Sequence, residues 1–115
     1  MSDVHQMYQE AEKLKEEGKL AEAAEKLEEL LQVDDSHVLS HLTLAVLYSK
    51  LGKHDEAVQH GERACQLEPT DALNFTALSV TYQRAYAGTQ NLGFIQKAEE
   101  AMAKAHEIQG GPHHH

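Results

Sequence analysis

Nine histidines, a single cysteine and a surplus of carboxylates are the side chains that could do chemistry in this chain. His37 and His41 stand four apart near the start of an expected helix, a spacing that can aim two imidazoles at one metal ion, with His5 brought near by stacking of segments. No Cys or carboxylate completes a recognisable ligand set, so a metal-binding protein is the remotest reading and packing is the role assigned to His41. His54, His60 and His106 fall on second-helix positions and read as packing or partly exposed residues. Cys65 sits on an apolar stripe and reads as a buried, inert thiol. Asp34-Asp35-Ser36-His37 holds the residue types of a catalytic triad, but a triad is assembled in space, and four contiguous residues between helices read as a turn and a cap supplied by Ser36. With no glycine-rich phosphate loop and no zinc-protease motif, the chain is expected to be no enzyme and to need no cofactor.

The elements that must position these residues recur. A shift of 34 places Ala11 on Ala45, Leu14 on Tyr48, Gly18 on Gly52, Ala23 on Ala57 and Leu30 on Ala64. A period of that length belongs to stacked helix pairs, because each unit buries its apolar face only against its neighbours. Composition agrees: Ala, Leu, Glu, Gln and Lys abound and Trp is absent. The expectation is an all-α solenoid of antiparallel helix pairs in one domain, residues 1–109. Its repeats span about 4–37, 38–71 and 72–109, and residues 110–115 read as a linker and purification-tag remnant.

The middle copy is the most regular, with helices divided at Gly52-Lys53 and stopped by Pro69. Its steps His41, Leu44-Ala45, Tyr48, Gly52, Ala57, Gly61, Ala64 and Pro69 resemble the pattern of the tetratricopeptide repeat family. His41 and Gly61 depart from it, standing where bulky residues are usual. The first copy matches through Met7, Ala11, Leu14, Gly18, Ala23, Leu27 and Leu30, and its polar Glu10 suits a terminal cap. The third opens with Phe75, Leu78-Ser79 and Tyr82, then breaks step: Ala57 to Ala98 is 41 residues against 34, so seven are inserted near 85–92. Gly88 and Asn91-Leu92-Gly93 are breaker signals, predicting a slightly longer helix, then an ordered loop, with Gly93 in the place of Gly52. That segment is either a further contact or a brace for the last helix pair.

The resemblance implies a right-handed superhelix of about six helices whose first helices line a concave groove for peptides. The groove residues it implies are Tyr8, Leu39, Leu42, Val46, Lys50, Leu73, Ala77, Val80 and Arg84. Leu39, Leu42, Val46, Leu73 and Val80 are not required for packing within the repeats, so the groove is expected to be apolar in its middle and C-terminal parts. Either a partner covers them, or a second copy of the chain, or the chain's own inserted segment or tail, or the curvature of the groove itself. Lys15, Lys50 and Arg84 recur along one lip, either steering a partner with acidic as well as apolar character or complementing helix ends. The carboxylate clamp known in this family needs Lys, Asn and Arg where Tyr8, Glu12, Thr43, Leu73 and Ala77 stand, so a clamped chaperone tail is not the expected ligand.

These readings make the chain a protein-interaction adaptor, with a self-assembling structural module as the alternative. A net charge of −9 without a basic face argues against nucleic acid. No stretch approaches the ~20 apolar residues of a membrane span, no targeting segment is visible, and the lone cysteine precludes an intrachain disulfide. A cytoplasmic location is expected.

Overall fold

The computed structural model describes residues 3–110; of the expected linker and tag, 111–115 lie outside the described residues. Six helices follow one another: α1 Val4–Glu16, α2 Leu20–Val33, α3 Val38–Lys50, α4 His54–Leu67, α5 Ala72–Thr89 and α6 Gly93–Gly110. Each packs on the next, and α3 also packs on α5. Such neighbour-to-neighbour packing produces a rod, 52 by 31 by 21 Å, and the all-α solenoid is as expected.

The 34-residue spacing is written into the helix ends. Side chains of Asp3, His37 and Asp71 cap α1, α3 and α5 by accepting the backbone N–H of Gln6, Ser40 and Leu73 at 2.7, 3.2 and 2.9 Å. Each satisfies a donor that has no partner inside its helix. Ser36 was the expected cap of α3. Instead its N–H and hydroxyl both donate to the Asp34 carboxylate, at 3.1 and 2.7 Å, which holds that carboxyl below its usual pKa and leaves the cap to His37. Gly18 and Gly52 follow α1 and α3 with φ of 80° and 79°, a left-handed conformation open to a residue without Cβ.

The third pair handles its extra residues without a longer loop. Connectors inside all three pairs are three residues, 17–19, 51–53 and 90–92, whereas α5 has 18 residues against 13 in α3, and α6 has 18 against 14 in α4. The expected lengthening of the helix is found, running through Thr89, so that only 90–92 are left to the connector. Gln90, with φ 63°, takes the left-handed place held by Gly18 and Gly52, which corrects the assignment to Gly93, the first residue of α6. Gly88 does not break α5; it lies inside it, where a Cβ would collide with the imidazole of His54 at the start of α4. The missing side chain lets the extended helix pass over that ring.

Core residues form two clusters. Met7, Ala11, Leu27, Leu30, Leu44 and Leu47 belong to one built from α1, α2 and α3. Val58, Cys65, Leu78, Tyr82, Ala85 and Ala98 belong to another built from α4, α5 and α6. The seam between α3 and α4 carries small or polar buried residues: Ser40, His41, Ala45, Ala57, Gly61 and Ala64.

Candidate peptide-binding groove

Residues three and four apart share one face of a helix. Leu39, Leu42, Val46 and Lys50 thus form a row on α3, and Leu73, Ala77, Val80 and Arg84 a matching row on α5. The direct packing of α3 on α5 sets these rows beside one another. Between them lies a hollow of about 240 Å³, walled by Leu42, Val46, Ala77, Val80 and Arg84, with Gly61 of α4 beneath. Leu39 and Leu73, 54% and 71% exposed, continue the apolar strip toward the helix N-termini. Lys50 and Arg84 are exposed at its other end and enter no ion pair or hydrogen bond among the described residues, whereas Lys15 is held by Glu12 at 3.1 Å.

Five of the nine expected residues therefore meet at the hollow, and three flank it. Tyr8 is engaged within the fold: its hydroxyl lies 2.9 Å from Thr43 Oγ1, and its ring packs 5.5 Å from that of His37, fastening α1 to α3. Sequence reasoning did not place Ala45, Gly61, Leu78 or Thr81 at the site, yet all four line the hollow. The signal was present at Gly61, a glycine where a bulky residue is usual. A wider hollow of about 580 Å³ opens on the far side of α3, where Glu25, Glu28 and Glu29 line it together with Ala21, Ala24, Tyr48 and Leu51.

The chemically capable side chains are committed to structure. His37 Nδ1 serves the α3 cap, and His41 Nε2 donates to the Asp35 carbonyl at 2.8 Å, so the two imidazoles have separate partners. Among the described residues no group of three His, Cys, Asp or Glu side chains could hold a metal ion. Burial pushes the Cys65 thiol up to about 11, away from the thiolate that nucleophilic chemistry requires.

The remaining polar network crosses the seam. His41 Nε2 donates to the Asp35 carbonyl, and its Nδ1 lies 2.9 Å from His60 Nδ1, a hydrogen bond in which one ring donates to the other. His60 stacks on Tyr48 and faces Glu28 at 3.4 Å, the carboxylate to which Tyr48 donates at 2.6 Å. Burial lowers the His60 pKa from the ordinary 6.5; Glu28 opposes this and His41 reinforces it. The unfolded chain thus binds the proton first on acidification. The His60 contribution to stability is intact above about pH 6.5 and is lost as pH falls through the folded pKa. Urea midpoints between about pH 7.5 and pH 5 should therefore fall more steeply for the wild type than for His60→Gln; parallel profiles would show that His60 does not carry the effect.

A comparison with protein families matches residues 14–73 to the tetratricopeptide repeat, more than half of the chain. The chain belongs to the tetratricopeptide repeat family. No significant match is found among curated proteins. Among solved structures, the tetratricopeptide solenoid described above is similar to that of MamA, with a TM-score of 0.78 and 16% identity over 92% of this chain and 58% of that one. It is also similar to YrrB, described as a TPR protein with an unusual peptide-binding site, at 0.77 and 22% over 95% and 53%. The third is the Yersinia enterocolitica type III secretion translocator chaperone SycD in an alternative dimer, at 0.76 and 18% over 91% and 74%. The chain thus spans little more than half the length of MamA and YrrB. These likenesses concern the tetratricopeptide fold. No described helix is long and apolar enough to cross a membrane.

Proposed function

We propose that this tetratricopeptide unit, read as three repeats, is a non-catalytic protein-interaction adaptor that holds a segment of a partner along the α3 and α5 faces. The observation that carries this reading is the apolar hollow between Val46 and Val80, continued by exposed Leu39 and Leu73 and ended by two unpaired cations. Exposed apolar surface of this kind usually marks an interaction site, and water leaving it supplies the driving force, about 25 cal/mol per Å² before association costs are subtracted. Lys50 and Arg84 favour a partner with acidic residues, chiefly by steering encounter. The peptide-binding site named for YrrB and the translocator chaperone role named for SycD support a peptide or protein as the ligand class. A reducing compartment such as the cytoplasm suits the single buried thiol.

The test places a charge on the strip. Val46→Glu and Val80→Glu should leave helical circular dichroism unchanged while weakening a partner peptide, selected on the wild type from a random display library, by at least about tenfold. Equal binding by wild type and both variants would remove the groove from consideration. Light scattering across a concentration series reads the alternative: a dimer dispersed by Leu42→Glu would make this face a self-interface.

A further inference from the structure

The three repeats of this chain differ at one step of their second helices, and the difference opens the groove floor. Leu27 in α2, Gly61 in α4 and Met102 in α6 hold equivalent places, 34 residues apart and then 41 across the lengthened third pair. Leu27 is fully buried and fills the core between α1, α2 and α3. At Gly61 there is no side chain to do so. Leu78 has leaned into part of the vacated space: a Cβ on Gly61 would stand 3.0 Å from Leu78 Cδ1, with Thr81 Oγ1 and Ala45 Cβ at 3.8 and 3.9 Å. What remains is the hollow of about 240 Å³ that opens between α3 and α5. Its mouth stays open because Ala77, exposed on α5, is small.

We propose that this hollow is a socket for one aliphatic side chain of a bound peptide, leucine or methionine in size, with a neighbouring carboxylate of that peptide paired to Arg84. The proposal rests on the adaptor reading above and names the chemistry of its ligand. The size follows from the molecule itself, since the side chains at the two equivalent steps are Leu27 and Met102. The walls supply methyl and methylene groups from Leu42, Val46, Ala77 and Val80, and the Thr81 hydroxyl is already spent on the Ala77 carbonyl at 3.1 Å. Apart from Arg84 at its edge, the socket is walled by hydrocarbon, so a polar group buried in it would lose water with little compensation. The charge follows from Arg84, a cation lining the socket that enters no ion pair among the described residues, on a chain of net charge −9. An apolar anchor in a pocket beside a charge pair at the edge is the arrangement in which a single ligand residue dominates affinity.

The experiment selects linear dodecapeptides from a random display library on tag-free protein and measures the synthetic winners by titration calorimetry. The selected peptides should share one Leu or Met with Asp or Glu within about one helical turn. Replacing that Leu or Met by Ala should weaken binding by at least about tenfold. Gly61→Leu refills the socket from below, and Ala77→Leu narrows it from the exposed side without touching the core. Each should weaken the parent peptide by a similar factor and abolish the difference between it and its Ala-substituted form, and Arg84→Glu should reverse the preference for the acidic residue. If Val80→Glu abolishes binding while Gly61→Leu and Ala77→Leu do not, the groove stands and the socket is overturned. If no peptide is selected, or none responds to Val80→Glu, the adaptor reading falls with it. A concentration-dependent dimer that Ala77→Leu disperses would make the occupant a second copy and overturn the peptide assignment.

Discussion

Leu44→Ala lowers the free energy of unfolding by about 2–5 kcal/mol. Leu44 has no exposed surface and lies in the α1–α3 cluster with Leu27, Leu30 and Leu47. Removing its isobutyl group forfeits the transfer of those carbons from water. It also leaves a void that helices fixed by their neighbours cannot close. A domain of this size holds only about 5–15 kcal/mol in total, so the loss is a large fraction of the whole. Urea unfolding followed by circular dichroism should show a lower midpoint with little change in slope. A shift no greater than that of a surface substitution such as Gln59→Ala would mean that Leu44 does not anchor the cluster.

Tyr82→Phe is expected to cost about 1.5–3 kcal/mol, the range for a hydrogen bond to a charged acceptor. The Tyr82 hydroxyl donates to Glu62 at 2.5 Å, and the bond recurs 34 residues earlier, where Tyr48 donates to Glu28 at 2.6 Å. Each runs from the first helix of one pair back to the second helix of the pair before, so it fastens neighbouring repeats. Burial and the adjoining carboxylate raise both phenols well above the ordinary tyrosine pKa. Tyr82 is 6% exposed and Tyr48 only half-buried, so Tyr48→Phe should cost less. The corresponding residue in the first repeat is Leu14, which has no hydroxyl to donate. Thermal unfolding of both variants with a Glu62→Gln control checks the assignment; an unchanged midpoint for Tyr82→Phe would show that the bond contributes nothing.

Legibility in the sequence depended on whether a feature is local. The 34-residue period, the glycines at 18 and 52 and the buried leucines follow from spacing and backbone preference, and all appear in the structure. The cap of α3 was misread because Ser36 and His37 are both competent and the choice turns on where Asp34 points. Gly88 read as a breaker because propensity is a weak prior; the ring of His54, distant in sequence, gives it a packing role inside α5. Nothing local singles out Glu28 and Glu62 as acceptors, although their spacing repeats that of Tyr48 and Tyr82. The two rows of groove residues follow from helical spacing, but the hollow between them is an absence, and emptiness has no residue type. Only Gly61, out of place against Leu27, hinted at it.

The core divides the rod into two clusters that meet at a seam of small side chains. Interlocked leucines bind the α1–α3 end, and Leu78, Tyr82 and Phe94 the α5–α6 end, while alanine, glycine and two imidazoles join them. Small side chains let α3 and α4 pack closely across that joint. The socket stands over the same joint, touching α3 on one side and α5 on the other. A peptide seated in it would touch both rows at once, so one ligand would span the two halves of the molecule across their seam.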